Sequence, residues 1–179
     1  MRIIAGKYKK RTLQSVPGNT ARPTMDFLKE TIFNIIPDCE GKDFLDLYAG
    51  SGSIGLEAIS RGASRAVFVE FAHNCIVTII HNIDTLDCRD QCKLVRKKVL
   101  PFIRKCEDKF DLIFLDPPYD KKLVNSTIAE IIQNDLLREG GFIVIEHSIR
   151  EKLAPEWDVY IHKIKKTRQS QVSILTVNK

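Results

Sequence analysis

The stretch Asp43-Phe-Leu-Asp-Leu-Tyr-Ala-Gly-Ser-Gly-Ser-Ile-Gly55 decides the fold of this 179-residue chain. Its first seven residues form an apolar run that predicts a buried strand over 43–49. The glycines that follow match G-x-G-x-x-G, a pattern in which a tight turn opens a helix and lets a ligand approach the backbone. Glu70 lies 20 residues after Gly50, at the end of the next predicted strand. A carboxylate at that spacing typically binds the ribose hydroxyls of an adenosine cofactor.

Strands and helices alternate along the chain from this stretch onward. The predicted strands cover 43–49, 65–71, 92–97, 110–115 and 142–146, and the predicted helices cover 54–61, 74–86, 99–106 and 124–134. Near-continuous apolar strands separated by helices are typical of a parallel sheet with helices on both faces. Two β-patterned runs, 159–166 and 171–178, then predict an antiparallel hairpin at the sheet edge. The expected fold is α/β and Rossmann-like, with a mostly parallel seven-stranded sheet and a C-terminal antiparallel hairpin.

The chain before the first of these strands predicts a helix and a small hairpin. Apolar residues recur at helical spacing over 25–36, and Thr24 is a suitable N-cap. Closer to the N-terminus, 2–5 and 11–15 have the pattern of two short paired strands. The expected parts of the chain are a basic N-terminal β-hairpin extension, 1–21, and one α/β domain, 22–179.

The net charge of +5 is concentrated at the two ends of the chain. Residues 1–22 carry six basic side chains and no acidic one, and residues 159–179 carry five and no acidic one. Basic ends on a mildly acidic middle indicate that the termini hold a polyanion. The alternative is that both ends are solvated surface. The candidate nucleic-acid-binding side chains are Arg2, Lys7, Lys9, Lys10, Arg11, Arg22, Lys166 and Arg168.

Composition and cysteine content argue against several classes of protein. With 44% hydrophobic and 28% charged residues, the chain has the composition of a soluble globular protein. No apolar stretch approaches the roughly 20 residues that span a bilayer, and the first residues do not resemble a secretory signal. Five cysteines without a framework spacing indicate reduced thiols in a cytosol. Cys88 and Cys92 lack zinc-finger spacing and a second ligand pair, so we expect a cytoplasmic protein without a metal.

The segment Asp116-Pro-Pro-Tyr119 follows the predicted strand 110–115. A carboxylate at the carboxyl end of a buried strand lies where open α/β sheets bind their ligands. The prolines lack N–H donors and have a fixed φ, so they can form a rigid turn with an outward-facing carbonyl. The tyrosine adds a flat aromatic face. These groups would bind a planar amino group, such as the exocyclic nitrogen of a nucleobase; an ordinary strand-ending turn is the alternative.

Asp46 bears on the kind of cofactor. Glycines followed by an acid are also typical of nicotinamide-dependent oxidoreductases. However, Asp46 lies inside an apolar strand, and a buried carboxylate is unfavourable without a partner. A cationic amino or sulfonium ligand would suit it better than an anionic pyrophosphate. No residue further along resembles a hydride-transfer acid, whereas Asp116 begins a segment suited to an amino group.

With these residues, the chain resembles a class I S-adenosylmethionine (SAM)-dependent methyltransferase of the bacterial small-subunit rRNA guanine-N2 methyltransferase family, RsmD. The resemblance covers nearly the whole chain. The glycine and D-P-P-Y motifs are shared by many amino-methyltransferases, whereas Arg2-Ile-Ile-Ala-Gly-Lys-Tyr8 and Arg22-Pro-Thr24 are much narrower. The chain departs from the common pattern at Phe71-Ala72, where members commonly have an acidic or polar residue. It departs again at Lys97-Lys98, where many class I enzymes have an acid near the adenine.

The resemblance implies methyl transfer from SAM to the exocyclic N2 of a guanine in small-subunit (16S) rRNA, either naked or in an assembly intermediate. We also expect a monomer that needs no metal and no membrane. The implied catalytic residues are Asp116, Pro117, Pro118 and Tyr119. The implied cofactor-binding residues are Thr24, Asp46, Tyr48, Ala49, Gly50, Ser51, Gly52, Gly55, Glu70, Phe71, Lys98, Val99 and Asp116. Because lysines replace the usual acid, contact with the adenine is expected to rest on backbone groups such as those of Val99.

Other activities fit part of the pattern. An adenine-N6 methyltransferase acting on DNA or RNA would use the same D-P-P-Y segment. However, 179 residues leave no room for a separate domain that recognises a DNA sequence. An NAD-dependent oxidoreductase is a remote alternative that rests on the glycines and the spacing of Glu70. A non-catalytic RNA-binding protein would not need an intact Asp116.

Overall fold

The computed structural model describes residues 1–18, 24–36, 38–119, 121–166 and 170–177, with the backbone alone for Thr24 and Met25. The α-helices are α1 (Thr24–Phe33), α2 (Ser53–Ser60), α3 (His73–Leu86), α4 (Val99–Ile103) and α5 (Leu123–Gln133). The strands are β1 (Asp43–Leu47), β2 (Arg65–Glu70), β3 (Cys92–Arg96), β4 (Phe110–Leu115), β5 (Leu137–Ser148), β6 (Ile161–Lys166) and β7 (Ser170–Thr176).

These strands form one sheet in the order β3-β2-β1-β4-β5-β7-β6. The strands from β3 to β5 are parallel, and β7 pairs antiparallel with both β5 and β6. The chain runs outward from β1 to β3 and then returns to β4 on the other side of β1. This reversal of direction is the switch point at which open α/β sheets bind ligands. The predicted α/β fold with a C-terminal antiparallel hairpin is therefore confirmed.

Alternate residues of the central strands pack into two cores on opposite faces of the sheet. One core includes Phe44 and Phe68 and is covered by α1, α2, α3 and part of the N-terminal segment. The other includes Leu45 and Val67 and is covered by α4 and α5. Trp157 is buried in this second core. Because helices cover both faces, the ends of the strands are the part of the sheet that is open to a ligand.

The register of the parallel strands brings four residues to one level at these ends. Leu47 pairs with Val69 on one side and with Leu115 on the other. Leu115 in turn pairs with Ile145 of β5. The next residues along the chain form a row across the sheet: Glu70, Tyr48, Asp116 and Glu146. Since neighbouring strands are about 4.8 Å apart, the backbones of Glu70 and Asp116 lie about 10 Å apart in this row.

Several predicted elements have different bounds in the structure. Strand β5 begins at Leu137 rather than at 142, because Leu137 pairs with Phe110 before an irregularity in the register. Helix α1 ends at Phe33 rather than at 36, and α4 ends at Ile103 rather than at 106. Strand β6 begins two residues later than predicted because a 3-10 helix, Pro155–Tyr160, precedes it.

The N-terminal segment, residues 1–18, is less regular than the predicted hairpin. A single bridge between Arg2 and Thr12 replaces the expected pairing of 2–5 with 11–15. A turn covers 7–10, and hydrogen bonds from Ile3 N–H to the Arg11 carbonyl and from Leu13 N–H to the Met1 carbonyl hold its two sides, each at 2.9 Å. Ile3 and Leu13 are buried in the core beneath α2. Packing of these apolar side chains and a few backbone hydrogen bonds therefore shape this segment together.

A buried carboxylate on α2 fixes the segment to the domain. Glu57 Oε2 accepts a hydrogen bond from Ile4 N–H at 2.8 Å, and Oε1 accepts one from Ala5 N–H at 3.0 Å. Lys29 of α1 is buried with its Nζ 3.8 Å from Glu57 Oε2, and it also donates to the Arg2 carbonyl. Burial lowers the pKa of Lys29, while the nearby carboxylates oppose this shift. Removing Glu57 would leave Lys29 without its buried counter-charge, whereas Glu57 itself also pairs with Arg61 Nε at 2.9 Å.

Other predictions concerned thiols, metals and membranes. All five cysteines are free thiols, and Cys88 Sγ lies 3.7 Å from Cys92 Sγ. Within the described residues, no cluster of His, Cys, Asp and Glu side chains is arranged to hold a metal ion. The helices in this part of the chain are all too short or too polar to cross a bilayer.

Candidate active site

The glycine loop between β1 and α2, residues 49–52, has a backbone that only glycine adopts easily. Gly50 and Gly52 have φ values of 56° and 75°, in the left-handed region. Gly55, in the first turn of α2, lies against the ring of Phe68, where an added Cβ would come within 2.4 Å of Cε1. The predicted glycine motif therefore provides a tight turn at the switch point and close contact between helix and sheet.

Asp46 lies under this loop and is almost completely buried. Its Oδ2 accepts a hydrogen bond from Gly55 N–H at 2.9 Å. Burial raises the pKa of Asp46 to about 8, the Gly55 hydrogen bond opposes this shift, and the charge of Glu70 adds to it. The carboxyl group is thus mostly protonated at neutral pH, and a nearby cation would favour its ionised form.

Glu70 lies at the end of β2 and is connected to the loop. Its Oε2 accepts a hydrogen bond from Gly50 N–H at 3.0 Å. Its Oε1 accepts from Phe71 N–H at 2.7 Å and from Ala72 N–H at 2.9 Å, just before α3. A carboxylate offers about four acceptor positions, so Oε2 can accept one further hydroxyl. Glu70 therefore fixes the loop and retains acceptor capacity for a ligand.

The predicted adenine side is open to solvent and partly aromatic. Phe71 directly follows Glu70, and 60% of its surface is exposed. The Nζ of Lys98 lies 6.0 Å from the centre of the Phe71 ring. Val99 is buried at the start of α4. An exposed aromatic ring beside the Glu70 carboxylate offers a flat surface for a base.

The segment Asp116-Pro-Pro-Tyr119 lies at the end of β4, on the other side of β1. Asp116 is half-buried, Pro117 is buried and Pro118 is exposed. The Tyr119 hydroxyl donates to Glu146 Oε1 at 3.3 Å. Burial, together with the charges of Glu146 and Asp116, raises the pKa of Tyr119 to about 12. The phenol therefore stays protonated, and its hydrogen bond to Glu146 restrains the ring next to the Asp116 carboxylate.

Tyr48 has a different place from the other predicted cofactor residues. Its φ of 58° reverses the side-chain alternation at the end of β1, so its ring packs against the second core. There its hydroxyl lies 2.8 Å from Thr127 Oγ1 of α5. Only the backbone of Tyr48 therefore lies at the loop. The neighbouring Ala49 N–H donates to the Val69 carbonyl at 3.2 Å, which continues the β1–β2 contact.

Two polar residues at the site lie outside the predicted motifs. Asn82 of α3 is completely buried and donates to the Ser51 carbonyl of the loop at 3.0 Å. The sequence does contain a signal for Asn82, because it is a polar residue beside Ile79 and Ile83 on the apolar face of a predicted helix. Glu146, the partner of Tyr119, lies in a predicted strand and is recognisable only from the register between strands.

The basic residues predicted to bind nucleic acid are exposed where they are described. Lys7, Lys9 and Lys10 project from the turn of the N-terminal segment. Arg2 forms an exposed ion pair with Asp26 at 3.2 Å, and Arg11 donates to the Thr85 carbonyl at 2.6 Å. Lys166 ends β6, which runs parallel to β5, so it lies at the same edge of the sheet as Asp116. Arg22, Arg168 and the side chain of Thr24 lie outside the described residues.

His147 follows Glu146 but has a structural environment. It is buried, with Nδ1 2.7 Å from the Glu151 carbonyl and Nε2 2.9 Å from Ser173 Oγ. Burial lowers its pKa, and hydrogen bonds to Glu151 and Ser148 oppose the shift. Because both ring nitrogens have protein partners, His147 stabilises the β5–β7 end and does not face the row of site residues.

Comparison with known proteins shows the family to which the chain belongs. A family model described as conserved hypothetical protein 95 matches residues 1–178. A candidate rRNA methyltransferase, YlbH of Bacillus subtilis, is 41% identical over 160 residues, which cover 87% of this chain and 86% of the relative. Ribosomal RNA small subunit methyltransferase D of Haemophilus influenzae is 35% identical over 150 residues, 82% and 78% of the two chains.

A solved structure extends the comparison to the fold. The Thermus thermophilus 16S rRNA N2 G1207 methyltransferase (RsmC), in complex with AdoMet and guanosine, matches 91% of this chain and 45% of that chain with a TM-score of 0.73. At 18% identity, this likeness concerns the fold alone. The family model, by contrast, matches almost the whole sequence, including the N-terminal segment. The chain therefore belongs to the conserved hypothetical protein 95 family, that of the RsmD rRNA methyltransferases, and has the Rossmann-like class I methyltransferase fold.

Proposed function

We propose that this protein transfers a methyl group from SAM to the exocyclic N2 of a guanine in small-subunit rRNA. The observation that carries the proposal is the row at the strand ends, in which Glu70 and Asp116 lie on opposite sides of the glycine loop. One carboxylate is suited to ribose hydroxyls and the other to an amino group, about 10 Å apart across one strand. The names of the relatives support rRNA as the substrate class.

The residues of the cofactor side suit SAM in their chemistry. Glu70 Oε2 would accept a ribose hydroxyl, and the exposed Phe71 ring would contact the adenine. Because Gly50 and Gly52 have no side chains, SAM would come close to the protein backbone of the loop. Asp46, uncharged in the ligand-free protein at neutral pH, would become the counter-ion of a cationic ligand. Bound SAM would supply the electrophilic methyl group.

The residues of the amino side would position the guanine. The Asp116 carboxylate and the Pro117 carbonyl would accept hydrogen bonds from the two N2–H groups. These bonds would favour a more pyramidal nitrogen, whose lone pair is less delocalised into the ring. Tyr119, restrained by Glu146, would stack on the base and orient it. Asp116 would also be placed to accept the proton that the nitrogen loses after methylation. Proximity of this kind can supply several kcal/mol of the barrier.

The RNA would lie across the carboxyl ends of the strands, where Asp116 and Lys166 lie, and would extend along α2 and α3 to the N-terminal turn. The exposed turn with Lys7, Lys9 and Lys10 lies near the opposite ends of the strands, because Lys7 N–H donates to the carbonyl of Ser60, the last residue of α2, and the adjoining Arg11 donates to Thr85 near the end of α3. Lysines at such positions would bind phosphates without reading the sequence. A base in structured RNA would have to be unstacked to reach Asp116.

The direct test is a methylation assay with labelled SAM and a small-subunit rRNA transcript or assembly intermediate. Digestion to nucleosides and mass spectrometry should then give N2-methylguanosine. Recovery of N6-methyladenosine instead would favour the adenine-directed activity that shares the D-P-P-Y segment. Absence of any methylated nucleoside with both substrates would reject the proposed reaction.

Glu70→Gln should weaken SAM binding about tenfold, because a charge-assisted hydrogen bond to the ribose contributes about 1.5 kcal/mol or more. Isothermal calorimetry on folded protein measures this directly. Glu139→Gln, an exposed position on β5, is the matched control and should leave the affinity unchanged. Equal affinities for the wild type and Glu70→Gln would exclude the ribose role.

Replacing Lys9 and Lys10 together with alanine should weaken RNA binding about tenfold. It should also reduce the slope of log affinity against log salt by about 2, one unit for each lost phosphate contact. Lys105 and Lys109 lie between α4 and β4, on the face of the sheet away from the N-terminal segment, and their double alanine variant is the control. An unchanged salt slope for the Lys9 and Lys10 variant would mean that this turn does not contact phosphate.

A further inference from the structure

We infer that Asn82 is a positioning residue that couples the N-terminal segment to the glycine loop, so that RNA and cofactor bind with positive cooperativity. The inference rests on the proposed function, because it assigns the segment to RNA and the loop to SAM. Neither ligand would contact Asn82 itself. Its role follows from the backbone groups that its amide holds.

Asn82 is fully buried on α3, between the two segments. Its Nδ2 donates to the Ser51 carbonyl in the loop and to the Gln14 carbonyl in the segment, each at 3.0 Å. Its Oδ1 accepts a hydrogen bond from Gln14 N–H at 2.7 Å. Both amide protons and the amide oxygen are therefore engaged, and one side chain joins the two backbones.

A second contact connects the same two segments. The Ser51 hydroxyl lies 3.7 Å from the Met1 sulfur, a weak hydrogen bond. Ser51 lies between Gly50 and Gly52, whose positive φ angles define the loop. A shift of Gln14 would therefore be transmitted through the Asn82 amide to the peptide between the two glycines.

Coupling follows from what each ligand would restrain. SAM bound at the loop would restrict Ser51 and, through Asn82, the return side of the N-terminal segment. RNA bound at Lys9 and Lys10 would restrict the same segment from its other end. The second ligand would then meet a site that is already ordered, which is a source of cooperativity without a change of fold. The two binding equilibria must show the same coupling factor in both directions.

The experiment measures that factor with S-adenosylhomocysteine, which cannot donate a methyl group, and a small-subunit rRNA transcript at one salt concentration. In the wild type, saturating RNA should tighten binding of S-adenosylhomocysteine about fivefold, and S-adenosylhomocysteine should tighten RNA binding by the same factor. Asn82→Asp keeps the shape of the side chain but replaces both donors by an acceptor. Its coupling factor should fall to about one.

Gln14 offers a matched pair of variants that leave Asn82 intact. Gln14→Pro removes the N–H that Asn82 accepts, whereas Gln14→Ala keeps both backbone groups. Gln14→Pro should lose the coupling and Gln14→Ala should retain it. This pair decides the question even where Asn82→Asp does not fold, as judged by circular dichroism.

A folded Gln14→Pro variant that keeps the wild-type coupling factor would overturn the inference. So would a wild type that binds both ligands independently, and that result would leave the proposed function intact. Failure of the wild type to bind either ligand would reject the proposed function and the coupling together. If Asn82→Asp lowers the affinities for both S-adenosylhomocysteine and RNA but keeps the coupling factor, Asn82 has a purely structural role.

Discussion

Asp116→Asn is expected to lower the rate of methyl transfer about 10³-fold while leaving the affinity for SAM within a few-fold. The variant keeps the size of the side chain but directs an amide NH2, a donor, toward the donor groups of the guanine. It also removes the only charged acceptor that the D-P-P-Y segment would offer the amino group. Proton transfer and aligned acceptors of this kind typically contribute factors of 10² to 10⁴.

Single-turnover kinetics with saturating SAM and rRNA isolates this effect from product release. Calorimetry on the same preparations reports SAM affinity, which depends on the other side of the loop. Asp90→Asn is a suitable control, because Asp90 is exposed in the 3-10 helix before β3, at the opposite edge of the sheet. A rate for Asp116→Asn within a few-fold of the wild type would mean that Asp116 does not have its proposed role.

The central strands could be predicted because their signals are local. Strand β4 has the predicted bounds, Phe110–Leu115, since an apolar run is limited by a polar residue before it and by Asp116 after it. The glycine loop follows β1 as expected. Strand β5 was predicted too short because Gly140 and Gly141 favour a loop, yet Leu137 still pairs with Phe110.

Contacts between distant segments could not be read from the sequence. The hydrogen bond between Gln14 and Asn82 joins residues 68 positions apart, and that between Tyr119 and Glu146 joins residues 27 apart. Each depends on how helices and strands pack, which periodicity does not specify. Tyr48 illustrates the limit: its motif was recognised, but its positive φ turns the side chain away from the loop.

The charge pattern of the N-terminus was informative only in part. It drew attention to exposed bases, which the structure has at Lys7, Lys9 and Lys10. It did not indicate that Ile3 and Leu13, on either side of these lysines, are buried, or that Glu57 of α2 would bind the backbone of the segment. Apolar residues in a basic stretch were the signal for a packed segment.

Asp46→Asn is expected to weaken SAM binding by a factor that depends on pH. A cationic ligand would prefer the ionised carboxylate, and burial raises the pKa of Asp46 to about 8 in the ligand-free protein. Below about pH 8 the wild type must therefore release a proton when it binds SAM. The dissociation constant of the variant divided by that of the wild type should therefore rise by up to about tenfold per pH unit between about pH 6 and pH 8. Above about pH 8 this ratio should level off.

The titration of SAM itself affects both dissociation constants equally, so its effect cancels when the two proteins are compared at each pH. Asparagine is the suitable replacement because its side-chain oxygen can still accept the Gly55 N–H. Calorimetry in two buffers of different ionisation enthalpy would also detect the released proton, which the variant cannot release. A ratio that stays constant from pH 6 to pH 9 would mean that Asp46 is not the counter-ion.

The ligand-free protein provides a second measurement of the same carboxyl group. The folded-state pKa of about 8 exceeds the ordinary value of 3.8, so the folded protein keeps a proton that the unfolded chain has released in this window. Folding stability from this group is therefore greatest at low pH and declines as the pH rises toward about 8. Asp46→Asn removes that decline, so its Tm relative to the wild type should increase from about pH 5 to about pH 8. SAM should narrow this difference, because the ligand would stabilise the ionised carboxylate that burial disfavours.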